Sequence, residues 1–573
     1  MTENGSIEAA YDKLSEEFFD VFYTYHPVHA TRQGLHQYDN SLGHYKREEI
    51  EETLRRMKAI QAQVAEIDPA SMDRLHALDH PVLTTRMNRE IYWIETWRFW
   101  ENNPLFYKDI ITEGLFNLVS RNFAPIEERL RLVIAREKDV PAVLQAARDN
   151  LINPPFVYTD QAIHYMKGAK LFFTEIPKEF EQVEDEALLR EFHQTNQAVL
   201  EELDKFLTFL KYDLLPRSNG NFAVGEAGVQ AILDAEELID VPVNKILERL
   251  YHDFKQADAD LQATIQKIAP GATEDDIEKR IRANHPTREN LMQVAKETLA
   301  ELRENLTKYD LMTIPEDMPD VIVSKMPSYA GAGGMMLTPG PFEYVAKEAY
   351  MAVNLPQPDW TEEQVETQLQ AFNPYSMRLL FAHEAYPGHH TQFYLEKRVP
   401  LFASKDHDSD SNSDGWAEYG KYMQVSEIYE KDDPLYRYAV LRDKRGMIVC
   451  AIVGLEIHLG IRTLEEAAEW LAEKSGRTYE GAMRVLDRAI YYPTHLTYYI
   501  GGEMVRKLHD DYQELKGVEF SLKEFNDHFM TYGLIPIKII RQAMLGAAAR
   551  GVGRTMVGTF VEQGALVVAV CRN

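Results

Sequence analysis

Apolar residues recur at helical spacing over most of the chain. Ile7, Tyr11, Leu14 and Phe18 follow steps of four, three and four; Phe192, Val199, Leu203, Phe206 and Leu210 trace a second stripe, and Leu291, Ala295, Leu299, Leu302 and Leu306 a third. Residues at these intervals share one face of an α-helix, so each stripe predicts a helix that a neighbour must cover. Few segments break the pattern. Residues 216–225 (PRSNGNFAVG) read as a loop, and residues 267–271 (KIAPG) as a turn before an acidic helix start at Thr273. Residues 321–326 (VIVSKM) form a short β-branched run, the best strand candidate, with an exposed edge; the glycine-rich residues 330–336 (AGAGGMM) follow it. The patterning predicts a mainly α fold with one small β element.

Size adds organisation to this picture. A chain of 573 residues and 66.1 kDa exceeds what one compact core normally fills, so lobes around a common cleft are expected. The boundary is placed after residue 310. Residues 1–310 then form a mainly helical lobe contributing to the cleft, and 311–573 a lobe holding the β segment and the chemistry described below.

Charge and cysteine content narrow the partners. A formal net charge of -29 repels nucleic-acid phosphates and anionic membrane surfaces, so neither is expected as a partner. The two cysteines, Cys450 and Cys571, exclude a disulfide framework and fit a reducing compartment. The N-terminal residues do not read as a signal peptide. Residues 564–571 (GALVVAVC) are too short to span a bilayer and read as a buried terminal strand or docked helix. A cytoplasmic location is the expectation from these features. No glycine-rich phosphate loop supports a nucleotide cofactor.

The chemistry concentrates at residues 383–390, HEAYPGHH. The stretch opens like the HExxH zinc-hydrolase signature, yet Pro387 stands where the second histidine belongs. Residues 375–383 (YSMRLLFAH) have helical patterning, which puts His383 near a helix end facing a cleft. On an ideal wheel His383 aligns with His390 rather than His389. Pro387 and Gly388 spoil that regularity, and a bulge there brings either His389 or His390 beside His383. Zinc takes neutral imidazoles at about 2.1 Å, a third protein ligand and an open position for water. Glu384 sits where a carboxylate accepts that water's proton.

A second segment, residues 411–423 (SNSDGWAEYGKYM), is a helix candidate with Asp414 and Glu418 on one face. Either acid is placed to complete the site. Ser411 and Asp414 also have the spacing of a helix-capping box. The preceding Asp406, Asp408 and Asp410 superficially suggest a calcium loop, but the glycine and glutamate such a loop needs are missing, so a solvated loop is expected.

At this point the chain resembles the DUF885 family, whose HExxPGHh motif matches residues 383–390, a family that looks related to gluzincin-type HExxH metallopeptidases. Asn103 to Tyr107, Asn354, Tyr492-Pro493-Thr494, Tyr498 with Gly501, and Gly533 to Pro536 also look like its landmarks, over roughly residues 10 to 550. The resemblance implies a large helical metallopeptidase-like fold with the β element beside a deep cleft, Zn2+ held by His383 and His389, and Glu384 as general base. It favours His389 over His390, against the helical wheel. The family usually carries glutamate where Asp414 stands, so Asp414 is favoured as third ligand with Glu418 second. His458 resembles the histidine of a family I-H pair, but the acid often found four residues earlier is Gly454 here. Tyr498, then His458, are the candidates for donating a hydrogen bond to the reacting carbonyl oxygen.

These readings predict a zinc metallopeptidase acting on short peptides, with residues 331–334 as a backbone rest for the substrate. The competing expectations are a non-catalytic peptide- or metal-binding protein with a degenerate site, and a zinc hydrolase for another amide or ester.

Overall fold

The computed structural model describes residues 4–326, 334–357 and 360–546. The chain is mainly helical with one three-stranded sheet, as the patterning predicts. It folds into two compact units. The first comprises residues 1–222, 319–355 and 400–406, the second residues 223–318, 356–399 and 407–573. A division after residue 310 cuts across both, because the chain returns to the first unit to build the sheet. Packing explains why residues 223–310 go with the second unit. The Val243–Ile268 helix lays Ile246, Leu250 and Ala257 against Ile448, Ala451, Ile452 and Leu455 of the Pro434–Leu459 helix, burying all seven.

In the first unit the Asn4–Tyr25 helix buries Tyr11 and Phe18, and the Glu186–Phe209 helix buries Phe192, Val199, Leu203 and Phe206 along its predicted stripe. The strand read from sequence is β1 (Val321–Lys325). It pairs in parallel with the central β3 (Ala349–Val353), which pairs antiparallel with β2 (Gly334–Leu337). β1 is an edge strand and leaves Ile322 exposed, whereas Met351, Ala352 and Val353 of β3 are fully buried. Of the glycine-rich backbone rest, residues 331–333 lie outside the described residues, as do residues 564–571 with Cys571. Asp406 departs from the solvated loop expected of it. It is fully buried, with Tyr23 donating to it at 2.5 Å and Gln33 at 3.2 Å.

In the second unit the Leu291–Lys308 helix buries its whole predicted stripe and supports the Pro374–Glu384 helix, where Thr298 meets Met377. The Thr273 start is a capping box with Asp276. Two helices that matter for the site, Asp410–Ile428 and Thr497–Lys516, approach so closely that a Cβ on Gly415 would lie 2.4 Å from Gly501 C, and one on Gly501 2.1 Å from Ser411 O. Only glycine fits at both positions.

Candidate metal centre

The Pro374–Glu384 helix begins on Asn373, whose side chain accepts from the amides of Tyr375 and Ser376, with Pro374 in the first turn where its missing N–H costs nothing. It ends at the motif. Ala385 leaves helical geometry, and Gly388 folds back so that its amide donates to Ala382 O at 3.0 Å. A Cβ on Gly388 would fall 1.7 Å from His383 O, so the turn requires glycine. The chain then re-enters a helix at once, His389–Glu396, with His389 in its first position. This interruption rotates His389 beside His383: the two rings are 4.8 Å apart and nearly perpendicular. His390 is buried against Tyr386 instead.

The Asp410–Ile428 helix brings the acids. Its N-cap is Ser409, not the Ser411 of the capping-box reading, and Asn412 ties its first turn to the carbonyls of Gly533 and Ile535. Trp416, fully buried, donates to Pro387 O at 2.8 Å, and Gly420 leaves no side chain between this helix and the Pro387 ring. The two helices therefore approach closely enough for the short side chain of Asp414. Its Oδ1 lies 3.4 Å from His389 Nε2 and 3.9 Å from His383 Nε2. His383, His389 and Asp414 each offer a donor atom, all within 4.8 Å of one another. Donors at about 2.0–2.1 Å on a tetrahedral ion stand roughly 3.3–3.4 Å apart, so this two-imidazole, one-carboxylate set fits zinc.

Glu418 serves differently. Its Oε1 faces the other nitrogen of the same ring, His383 Nδ1, at 3.1 Å, close in distance though off-line for a hydrogen bond. A carboxylate there holds the proton on Nδ1 and leaves the Nε2 lone pair toward Asp414. Glu418 is itself fixed by Lys421 at 2.7 Å, which also reaches Asp443 at 2.7 Å. Burial disfavours the Glu418 anion, but Lys421 and then His383 outweigh it and bring its pKa down to about 2. Burial likewise opposes a charged His383, and the Glu418 carboxylate more than compensates, raising its pKa. On the remaining nitrogen of His389, Nδ1, Ser413 Oγ sits at 3.4 Å.

His383, Glu384, Glu418 and Tyr498 line one cavity of about 490 Å³, whose described lining belongs entirely to the second unit. Glu384 is half-buried on its wall. The Tyr498 ring lies parallel to His383 at 6.4 Å, and burial, then the Asp414 charge, push its hydroxyl pKa well up, so it stays a donor. A larger cavity of about 600 Å³ shares Glu418 but is lined by neither histidine.

His458 is not brought to this site. It is fully buried, its Nε2 lies 2.8 Å from Ala489 O, and it does not line the cavity. The other histidine that lines it, beside His383, is His495, which sequence reading passed over. Burial and then the nearby Arg488 charge lower its pKa to about 4, so it is neutral, and its ring is 5.4 Å from that of Tyr498. Gly454, where the family often has an acid, faces His495 rather than His458: a Cβ there would lie 3.5 Å from His495 Cβ. Lys421 was also missed, although its position one turn after Glu418 is a readable signal.

The family model described as "Bacterial protein of unknown function (DUF885)" matches residues 27–544, and the chain belongs to that family. No curated protein matches it. Two solved structures share the fold. One is described as "The structure of a putative lipoprotein of unknown function from Shewanella oneidensis", 23% identical, covering 93% of this chain and 99% of that one with a TM-score of 0.78. The other, "The crystal structure of the putative lipoprotein from Colwellia psychrerythraea", is 15% identical over 96% and 100% of the two chains with a TM-score of 0.70. These descriptions overturn the cytoplasmic expectation, which is withdrawn. Charge and cysteine count describe the folded chain, whereas location is set by targeting segments and attached lipids. Among the described residues, no helix is long and apolar enough to cross a membrane.

Proposed function

We propose that this protein is a zinc-dependent hydrolase that cleaves peptide bonds in short peptides, a relative of the gluzincin-type metallopeptidases. The observation that carries the reading is the convergence of His383, His389 and Asp414, with Glu384 lining the same cavity as His383. His383 and His389 through their imidazoles, and Asp414 through its carboxylate, would hold the ion, with Glu418 fixing the tautomer of His383. When bound, zinc supplies Lewis acidity and makes water a nucleophile near neutral pH.

Glu384 accepts a proton from the attacking water as its oxygen bonds to the carbonyl carbon, and returns a proton to the nitrogen as the C–N bond breaks. Tyr498 donates its O–H to the carbonyl oxygen as negative charge grows there, an interaction stronger in the transition state than in the substrate. A cavity of about 490 Å³ suits a few residues of extended peptide better than a folded chain.

The test is cleavage of a mixed short-peptide library by protein of measured zinc content, beside Glu384→Gln. The variant keeps its zinc and loses turnover by at least about 100-fold. Equal turnover by both proteins rejects Glu384 as the base. Stoichiometric zinc without cleavage of any peptide would instead favour a binding protein.

A further inference from the structure

The cavity wall carries three arginines that, among the described residues, enter no ion pair, although the Asp414 and Asp410 charges act on Arg488. Arg484 and Arg488 stand one turn apart on the Tyr479–Tyr491 helix, and Arg477 immediately precedes its Thr478 cap. All three line the cavity that holds His383, Glu384 and Tyr498, and all three are solvent-exposed. The other cations of that lining are already matched: Arg442 sits 2.8 Å from Glu278, and Lys421 bridges Glu418 and Asp443. Among the described residues, Arg477, Arg484 and Arg488 enter no ion pair and donate no hydrogen bond.

The lining carries five cationic side chains against four carboxylates, and of those four only Glu384 is held by no cation among the described residues. The Arg488 guanidinium lies 4.9 Å from the Tyr498 ring centroid, so a group bound by it is held beside the hydroxyl assigned to the reacting carbonyl. Arginine presents a planar fork of N–H donors that matches a carboxylate in two parallel hydrogen bonds, which a lysine cannot reproduce.

We propose that Arg484 and Arg488, with Arg477, bind a carboxylate of the substrate, so that the cavity selects anionic short peptides. This rests on the hydrolase reading of the same site. The carboxylate is either the free C-terminus of the peptide or an acidic side chain, and the experiment separates the two.

Binding is measured by calorimetry on zinc-depleted full-length protein, so that no turnover enters. Three otherwise identical tetrapeptides are compared: a neutral one with a free C-terminus, the same with an amidated C-terminus, and an amidated one with a glutamate side chain. At least one carboxylate-bearing peptide binds about 10-fold or more tighter than the neutral amide, equivalent to about 1.4 kcal/mol. Which one does so identifies the source of the carboxylate. In the Arg484→Gln/Arg488→Gln double variant the gap shrinks to less than about 3-fold, while melting temperature and zinc capacity stay unchanged. Glutamine is a good helix former, and both positions are exposed. A neutral amide that binds as well as both acids, a gap that survives in the double variant, or no binding of either acid up to about 1 mM overturns the proposal. The hydrolase reading is judged separately by the Glu384→Gln assay. A binding gap in the unmodified protein that is lost in the double variant, with no cleavage of any peptide, would retain the anion site and discard the enzyme.

Discussion

Glu418 and Asp414, one turn apart on the same helix, address opposite nitrogens of His383: Glu418 Oε1 lies 3.1 Å from Nδ1, and Asp414 Oδ1 3.9 Å from Nε2. The geometry divides their labour. Asp414→Asn should remove a direct ligand and abolish stoichiometric zinc. Glu418→Gln should leave all three donors in place and weaken zinc by about 10–100-fold, the usual cost of losing the group that orients a ligating imidazole. Lys421 keeps Asp443 as partner in that variant, so the fold survives. Competition with a chromogenic chelator checks both, and equal affinities for the two variants would contradict the division.

Gly388 fixes how the helix breaks. The Cβ of Gly388→Ala would lie 1.7 Å from His383 O and 2.6 Å from Ala382 O, both backbone atoms of the turn that positions the ligands. Relief requires moving His383 or His389. The variant should be destabilised by about 3 kcal/mol or more, and any soluble protein should bind less than one zinc per chain. Thermal unfolding with metal analysis measures both. A stable Gly388→Ala protein with full zinc would show that the close turn is not needed.

The helices were readable because their burial is one-sided: the Leu291–Leu306 stripe repeats at helical intervals, and every member of it is buried. The interrupted motif was legible as a pair of histidines near Glu384, but the wheel selected His390, since it presumes a continuous helix and Gly388 folds back instead. Glu418 was read as a second-choice ligand because spacing places it on the face of Asp414 without saying which nitrogen of a ring it meets. β2 and β3 escaped notice because Met336 and Ala352 belong to short, sequence-separated segments whose pairing partners no local pattern names. His458 failed for a similar reason. Its helix is apolar nearly all round, from Ile448 to Ile457, so periodicity could not say whether the ring faces the cavity or Ala489.

In the first unit, His36 is bracketed by Asp39 at 2.8 Å from Nδ1 and Glu343 at 2.9 Å from Nε2. Burial opposes the imidazolium, but the two carboxylates outweigh it and raise its pKa from 6.5 to about 9. A raised folded-state pKa gives stability that is complete below about pH 6.5 and is lost as pH rises through about 9. Allowing for solvent screening of the partly exposed ring, the contribution is about 1–2 kcal/mol. His36→Gln should therefore be less stable than the wild type at pH 6 by that amount and nearly equal to it at pH 10. Urea melts at the two values test it, and a deficit of equal size at both would mean that His36 acts by packing alone, for instance on Phe123.

In the proposed hydrolase, Tyr498 would act on the reacting carbonyl, and its hydroxyl also interacts with Asp414. Its ring is parallel to that of His383 and close to the Asp414 charge, and its hydroxyl remains protonated because burial and that charge both disfavour the phenolate. Removing only the oxygen, in Tyr498→Phe, leaves the ring for Arg488 and His495 to pack against. The substrate carbonyl binds nearly as before, since the donor matters most when charge has developed on the oxygen. Hence kcat should fall by about 10²–10³ while KM changes less than about 3-fold and zinc content is unaltered. Loss of zinc would place the hydroxyl's role in holding Asp414, and a kcat within about 3-fold of wild type would remove Tyr498 from the chemistry, leaving neutral His495 as the remaining imidazole on that wall able to donate to the oxygen.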